Sequence, residues 1–190
     1  EMLQAIPRGI KESAGIISFI FIISGAIHVI RATGALDMAI LRLIDGLKGK
    51  DTLFLVFITL LFSLMGATFG FAEETIPFIP LGVALALGLG YDRVVGFHVV
   101  RTAAWVGFAG AFLNPFTIGV AQSIAELPLF SGVYYRILSF VVFYVIGLWF
   151  ILRYAKKVKA NPEKSILHGY EGDMGQEQFQ LQAAEKFTLR

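Results

Sequence analysis

The 190-residue chain has no cysteine. Disulfides and thiolate metal sites are therefore excluded, while the compartment stays open. Charge is scarce as well: Asp, Glu, Lys and Arg make up only 16% of residues, gathered in short islands. The sequence holds no HExxH, no GxSxG and no Asp-rich metal motif, so the usual metal-dependent and serine-nucleophile enzymes are not expected. Two adjacent carboxylates, Glu73 and Glu74, could do acid–base work, but no nucleophile or metal ligand is spaced beside them. No enzyme activity and no cofactor are implied.

What the chain has in excess is apolar surface. It is 56% hydrophobic and 14% aromatic, with a mean hydropathy of +0.72. Soluble domains have roughly 45–50% apolar residues, glycine included. Several apolar runs are long enough to cross a bilayer, which takes roughly 20 residues of helix. The expected class is an all-α, polytopic membrane protein. A net charge of +2 says less than where the positive charges lie. Arg8 and Lys11 precede an apolar run, as in a signal peptide. That run, 13–30, is longer than the usual 7–15-residue core of such a peptide and lacks a small-x-small cleavage site. A membrane anchor is the better reading. Because the chain opens on Glu1, it reads as a piece of a longer protein.

Taken in order, 1–30 carries the first spanning helix, closed by Arg31. Segment 31–50 places Leu36, Ile40, Leu43, Ile44 and Leu47 at helical spacing, with Asp37, Arg42 and Asp45 between them. That pattern predicts an amphipathic helix in the membrane interface. Segment 52–90 is two apolar arms around GATFGFAEETIPFIP. Its second arm, 76–90, would be only about 22 Å long as a helix, against a hydrocarbon core of roughly 30 Å. A re-entrant hairpin with its turn at 71–77 near mid-membrane is expected, and an external loop between two short spans is the alternative. Segment 97–126 is long enough to span but is broken at Asn114-Pro115, because proline lacks an N–H and clashes with the preceding turn. An unwound joint at 114–119 is expected between two half-helices. Segment 134–152 is the cleanest spanning helix, with aromatic residues at both ends. From 156 to 190 a basic and then polar loop follows. Its lysines read as a cytoplasmic stop-transfer run rather than a nucleic-acid site. With that run inside, the hairpin starts and ends inside, most Lys and Arg face the cytoplasm, and Arg8 and Lys11 are the exceptions.

A hairpin turn facing an unwound joint is how secondary transporters build a binding site. Half-helix N-termini favour anions, and unwound carbonyls favour cations. Gly66, Thr68, Glu73, Glu74, Thr75, Asn114, Pro115, Thr117 and Gly119 are the candidate substrate- and ion-binding residues. Thr75 and Asn114 are the candidate sodium ligands. Gly66 and Gly70, like Gly107 and Gly110, allow close backbone approach. Arg101 reads as a residue snorkelling to the inner surface, and Thr68 has the alternative of bonding its own helix backbone.

The stretches GATFGFAEETIPFIP, GFAGAFLNPFTIGVAQSIAELPLFSG and RYAKKVKANPEKS resemble the YfcC-type transporters of the C4-dicarboxylate anaerobic carrier (DcuC-like) family, in the ion transporter superfamily. The resemblance covers nearly the whole chain and is weakest after Ser165. It implies a secondary transporter of two inverted repeats, with this chain as roughly the first, working as an elevator in a bacterial inner membrane. It further implies a scaffold helix in 1–30, an arm helix in 31–50 and a transport-domain part in 51–155. A homodimer, a proton or sodium gradient as driving force, and a small organic ion or amino acid as substrate are implied too. Dicarboxylate carriers of the superfamily place Ser-Asn-Thr at the hairpin tip. Here Glu73-Glu74-Thr75 keeps only the threonine. Two glutamates would repel a dicarboxylate unless protons or sodium neutralised them, so cationic or zwitterionic amino acids fit better. A structural or channel-like membrane module is the alternative of a different class.

Overall fold

The computed structural model describes residues 2–34, 42, 46 and 49–170. Among them every regular element is helical: α1 (Met2–Ala32), α2 (Asp51–Phe69), α3 (Ile79–Gly88), α4 (Arg93–Phe97), α5 (Ala103–Ala109), α6 (Val120–Ile124) and α7 (Val133–Ala160). A 3-10 turn, Glu73–Phe78, joins α2 to α3. Two π-helical turns, His98–Thr102 and Pro115–Gly119, join α4 to α5 and lead into α6. Most of the predicted interfacial helix in 31–50, and residues 171–190, lie outside the described residues.

Helix α1 runs unbroken through the predicted span 13–30 and begins well before it, with Pro7 inside its first turns. Among the described residues, α2 and α7 are the two helices that are long and apolar enough to cross a membrane. Helix α2 has Asp51 in its first turn, where a carboxylate complements the helix dipole. It stops at Gly70, which sits at φ 73° in the left-handed region. A glycine there closes the helix without a Cβ penalty.

The segment from Asp51 to Tyr91 is a hairpin, because its two ends meet. Phe54, near the start of α2, packs on Ala84 and Leu85 of α3. The Tyr91 hydroxyl donates to Asp51 Oδ2 at 3.1 Å. Between the arms the chain is less irregular than the sequence predicts: the turn 71–77 is largely the 3-10 helix Glu73–Phe78. Helix α1 lies against that turn.

The tightest packing is between α2 and α5. A Cβ on Gly66 would overlap the Ala104 carbonyl, and one on Gly107 would overlap the Ser63 carbonyl. Ser63 Oγ donates to Ala103 O at 2.8 Å across the same seam. Without a hydrophobic drive between helices in lipid, such small-residue contact is what lets dispersion hold them together. Helix α7 closes the group. It gives Tyr144 OH to Val56 O at 3.0 Å and packs Phe140 edge-on against Phe112, ring centroids 5.4 Å apart.

Helix α7 does not end at the basic run. It continues to Ala160, so residues 156–160, assigned to the loop from sequence, are its last turns. Ile151, Ala155 and Val158 are all buried, at the spacing of one helix face. Asn161 then caps Pro162–Lys164 by accepting the Glu163 N–H. From 137 to 150 α7 carries no charged residue and is largely uncovered by the other described residues.

Candidate functional site

The broken helix explains how its two halves are aimed. Helix α5 ends at Ala109. The irregular joint is 110–114, earlier than the expected 114–119. Proline is the reason: it has no N–H to lose at the first helical position and its φ is preset for a helix. Pro115 therefore opens the second half instead of lying in the gap. Asn114 is its cap, accepting from Phe116 N at 2.8 Å and Thr117 N at 3.2 Å.

Asn114 also fastens the joint to the hairpin. It is fully buried, and its Nδ2 donates to Gly66 O at 3.1 Å. The Phe112 and Leu113 amides both donate to Ala67 O, at 3.2 and 3.1 Å. Helix-end carbonyls of α2 are thus satisfied by the joint of the other segment. Gly70 is equally constrained, since a Cβ there would meet Asn114 Oδ1 at 2.8 Å.

The second tie comes from Arg101. Its Nη1 donates to Ala72 O and, at 3.1 Å, to Thr75 Oγ1. Ala72 O also accepts Thr75 Oγ1 at 2.6 Å and Thr75 N at 3.2 Å. Thr75 is fully buried. Glu74 turns back to accept the Ala72 amide at 3.1 Å. Ala72 is therefore held from its carbonyl side by a guanidinium and from its N–H side by a carboxylate. Glu73 is exposed and Glu74 half-buried.

The contact of Arg101 with the hairpin tip was not foreseen by the snorkelling expectation. Arg101 sits in the π-helical turn His98–Thr102. The extra residue of a π-turn re-aims side chains and often marks a functional position. Its guanidinium also lies 5.1 Å from the Trp105 ring centroid. A sequence feature could have found it: Arg101 is the one charged residue in 94–125, and an ionisable group within an apolar span is a functional candidate by default.

The remaining candidates divide. Thr68 Oγ1 donates to Leu64 O at 2.6 Å, so its hydroxyl serves its own helix. The Gly119 amide closes the π-turn onto Asn114 O at 3.1 Å. Among the described residues Thr117 Oγ1 is buried without a hydrogen-bond partner, as is Thr59 Oγ1. Both proposed sodium oxygens are engaged: Thr75 Oγ1 faces a guanidinium, and Asn114 Oδ1 takes two amides. Among the described residues no three His, Asp or Glu side chains cluster to hold a metal ion.

Residues 3–188 match the family described as the C4-dicarboxylate anaerobic carrier. The chain is 41% identical over 156 residues to a protein of Escherichia coli K12 named "Putative basic amino acid antiporter YfcC", covering 82% of this chain and 31% of that protein. It is 30% identical over 168 residues to an uncharacterised protein of Haemophilus influenzae Rd, covering 88% and 33%. The chain thus spans about a third of the length of these curated relatives. No solved structure matches it.

Proposed function

This chain belongs to the C4-dicarboxylate anaerobic carrier family, and we propose that it forms one inverted repeat of a secondary active transporter working by alternating access in a bacterial inner membrane. The cargo is a small organic ion or amino acid, exchanged or coupled to protons or sodium. The observation that carries the reading is the double tie between hairpin tip and helix break, Asn114 to Gly66 and Arg101 to Ala72 and Thr75. Interrupted helices meeting at polar ends are the building plan of transporter sites.

Depth supports it. Gly110 packs on the Phe140 backbone, and Phe140 lies 12 residues before Leu152, about 18 Å along α7. If Arg153 marks the inner boundary, the joint sits near the middle of a roughly 30 Å core. The hairpin 52–90 is then re-entrant, with its base beside Lys159 at the cytoplasmic face. The 51–155 part is the moving body, and α1, lying on the tip, belongs to the static scaffold of an elevator. A second repeat and a homodimer complete the site and cover the apolar flank of α7.

Glu73 and Glu74 bind the coupling cation or a substrate ammonium. Sodium at Thr75 and Asn114 would have to displace their present partners, whereas Thr117 Oγ1 is buried and, among the described residues, unengaged. In this reading Glu73→Gln or Glu74→Gln in the full-length protein abolishes uptake into liposomes while insertion stays intact. Proton and sodium gradients are imposed separately to assign the coupling ion. Undiminished transport by both variants refutes the role of the pair.

A further inference from the structure

We propose that Arg101 is the carboxylate-binding residue of the transport site, so that the cargo is a zwitterionic amino acid held between Arg101 and the Glu73/Glu74 tip. The inference rests on the transporter reading above and names its substrate class.

The guanidinium is anchored through one nitrogen only. Nη1 holds Ala72 O and Thr75 Oγ1. Among the described residues Nη2 and Nε make no hydrogen bond and Arg101 pairs with neither glutamate. Arginine carries five donors in a planar fork, suited to two parallel bonds with a carboxylate. Here the fork is held by the tip on one side and by Trp105 on the other, and Arg101 as a whole is half-buried.

The two signs of charge are brought to the same residue and kept apart. Ala72 presents its carbonyl to Arg101 and its amide to Glu74. Arg101 and Glu74, both half-buried, bond backbone groups of Ala72 rather than each other. A ligand bearing both charges completes the arrangement: its carboxylate to the Arg101 fork, its ammonium to the glutamates. A dicarboxylate would satisfy Arg101 and meet repulsion from the tip. A simple diamine would satisfy the tip and leave Arg101 open.

The test uses the full-length protein in liposomes. The common L-amino acids and succinate are screened for uptake. The fastest amino acid is then compared with its own primary amine lacking the carboxylate. Wild type is expected to favour the amino acid, and Arg101→Gln to lose roughly tenfold to a hundredfold of that preference through the amino acid's KM, while inhibition by the amine is unchanged. Arg101→Lys keeps the charge without the fork and should fall between. Equal loss of amino acid and amine in Arg101→Gln would make Arg101 a tether only, and unchanged preference would remove it from the site; either overturns the proposal. Uptake of succinate but of no amino acid overturns it while leaving the transporter reading standing. Uptake of nothing under either gradient overturns both.

Discussion

The two polar ends of the hairpin are built from similar groups and use them differently. At the base, Asp92 is buried and its carboxylate accepts Val95 N at 2.9 Å, Tyr154 OH at 2.6 Å and Ser165 Oγ at 2.7 Å. Asp51 beside it holds Lys159 and the Tyr91 hydroxyl. Every one of these charged groups has protein partners. At the tip, Arg101 keeps donors unengaged among the described residues and Glu73 is exposed; in the facing joint Thr117 Oγ1 is buried without a partner among those residues, as is Thr59 Oγ1 within α2. Buried polar groups are normally satisfied, and each exception asks for an explanation. The base is satisfied and fastens helices; the tip leaves donors unengaged, and the proposed transport site gives them a ligand. Substitutions at the base should therefore cost stability and spare recognition, and those at the tip should do the reverse.

Asn114 is where that division should break, because it caps α6's half-helix and ties the joint to Gly66 at once. In the full-length protein Asn114→Ala loses the cap, about 1 kcal/mol, and leaves Gly66 O unsatisfied, about 1–3 kcal/mol. A total near 2–4 kcal/mol is expected by denaturant unfolding in detergent, together with lost uptake. A loss of uptake at wild-type stability would put Asn114 with the ligand groups rather than the scaffold.

Asp92→Ala comes next. It removes the cap of α4 and two hydroxyl contacts that bring Tyr154 and Ser165 to the hairpin base. Both hydroxyl-bearing residues are only half-buried and regain water, so about 1–3 kcal/mol is expected. The ratio of amino-acid to amine uptake should not change. If that ratio moves, the base and tip are coupled and the comparison fails.

How far the sequence foretold this division depends on the residue. Gly66/Gly70 and Gly107/Gly110 were legible as sites of close backbone approach, because small residues at helical spacing have few other uses in an apolar segment; that Gly66 meets Ala104 and Gly107 meets Ser63 was not. The hairpin was legible from two apolar arms around a Gly- and Pro-rich turn. The break at Asn114-Pro115 was legible in kind and misplaced by a few residues, since proline opens a helix as readily as it interrupts one. The last turns of α7 were read as loop because lysines drew attention from the Ile151–Ala155–Val158 stripe. The contact of Arg101 with the tip was not legible. The direction of the side chain depends on a π-turn, and no residue type in His98–Thr102 announces the extra residue.

Tyr91 gives a smaller effect with a distinct pH signature. Its phenol is pushed up to about 12, by burial first and by the negative charge of Asp51 second. The neutral form is therefore favoured in the fold. Its contribution is fully present below the unfolded value of 10.0 and is lost as pH rises from there through about 12,. Tyr91→Phe should cost about 0.5–1.5 kcal/mol at pH 7 and flatten that alkaline loss. The check is the difference in unfolding midpoint between wild type and variant from pH 9 to 12. An unchanged alkaline limb in Tyr91→Phe would mean that other groups set it.

Lys159→Ala should be the smallest, and it measures where the base lies. Lys159 pairs with Asp51, faces the Tyr91 ring at 4.8 Å and reaches Leu89 O at 3.4 Å. Its side chain is 42% exposed and that of Asp51 19%. For a pair wetted to that extent, about 0.2–1 kcal/mol is expected, shrinking as salt shortens the Debye length below its physiological ~8 Å. A buried pair behaves otherwise: removing one partner strands a charge and costs about 3–5 kcal/mol, with little screening. The salt titration of the Lys159→Ala effect therefore locates the hairpin base. A small, salt-sensitive loss puts it at the aqueous face, which leaves the tip near mid-membrane. A large, salt-insensitive loss would sink the base into the bilayer and carry Glu73 and Glu74 out toward the far side.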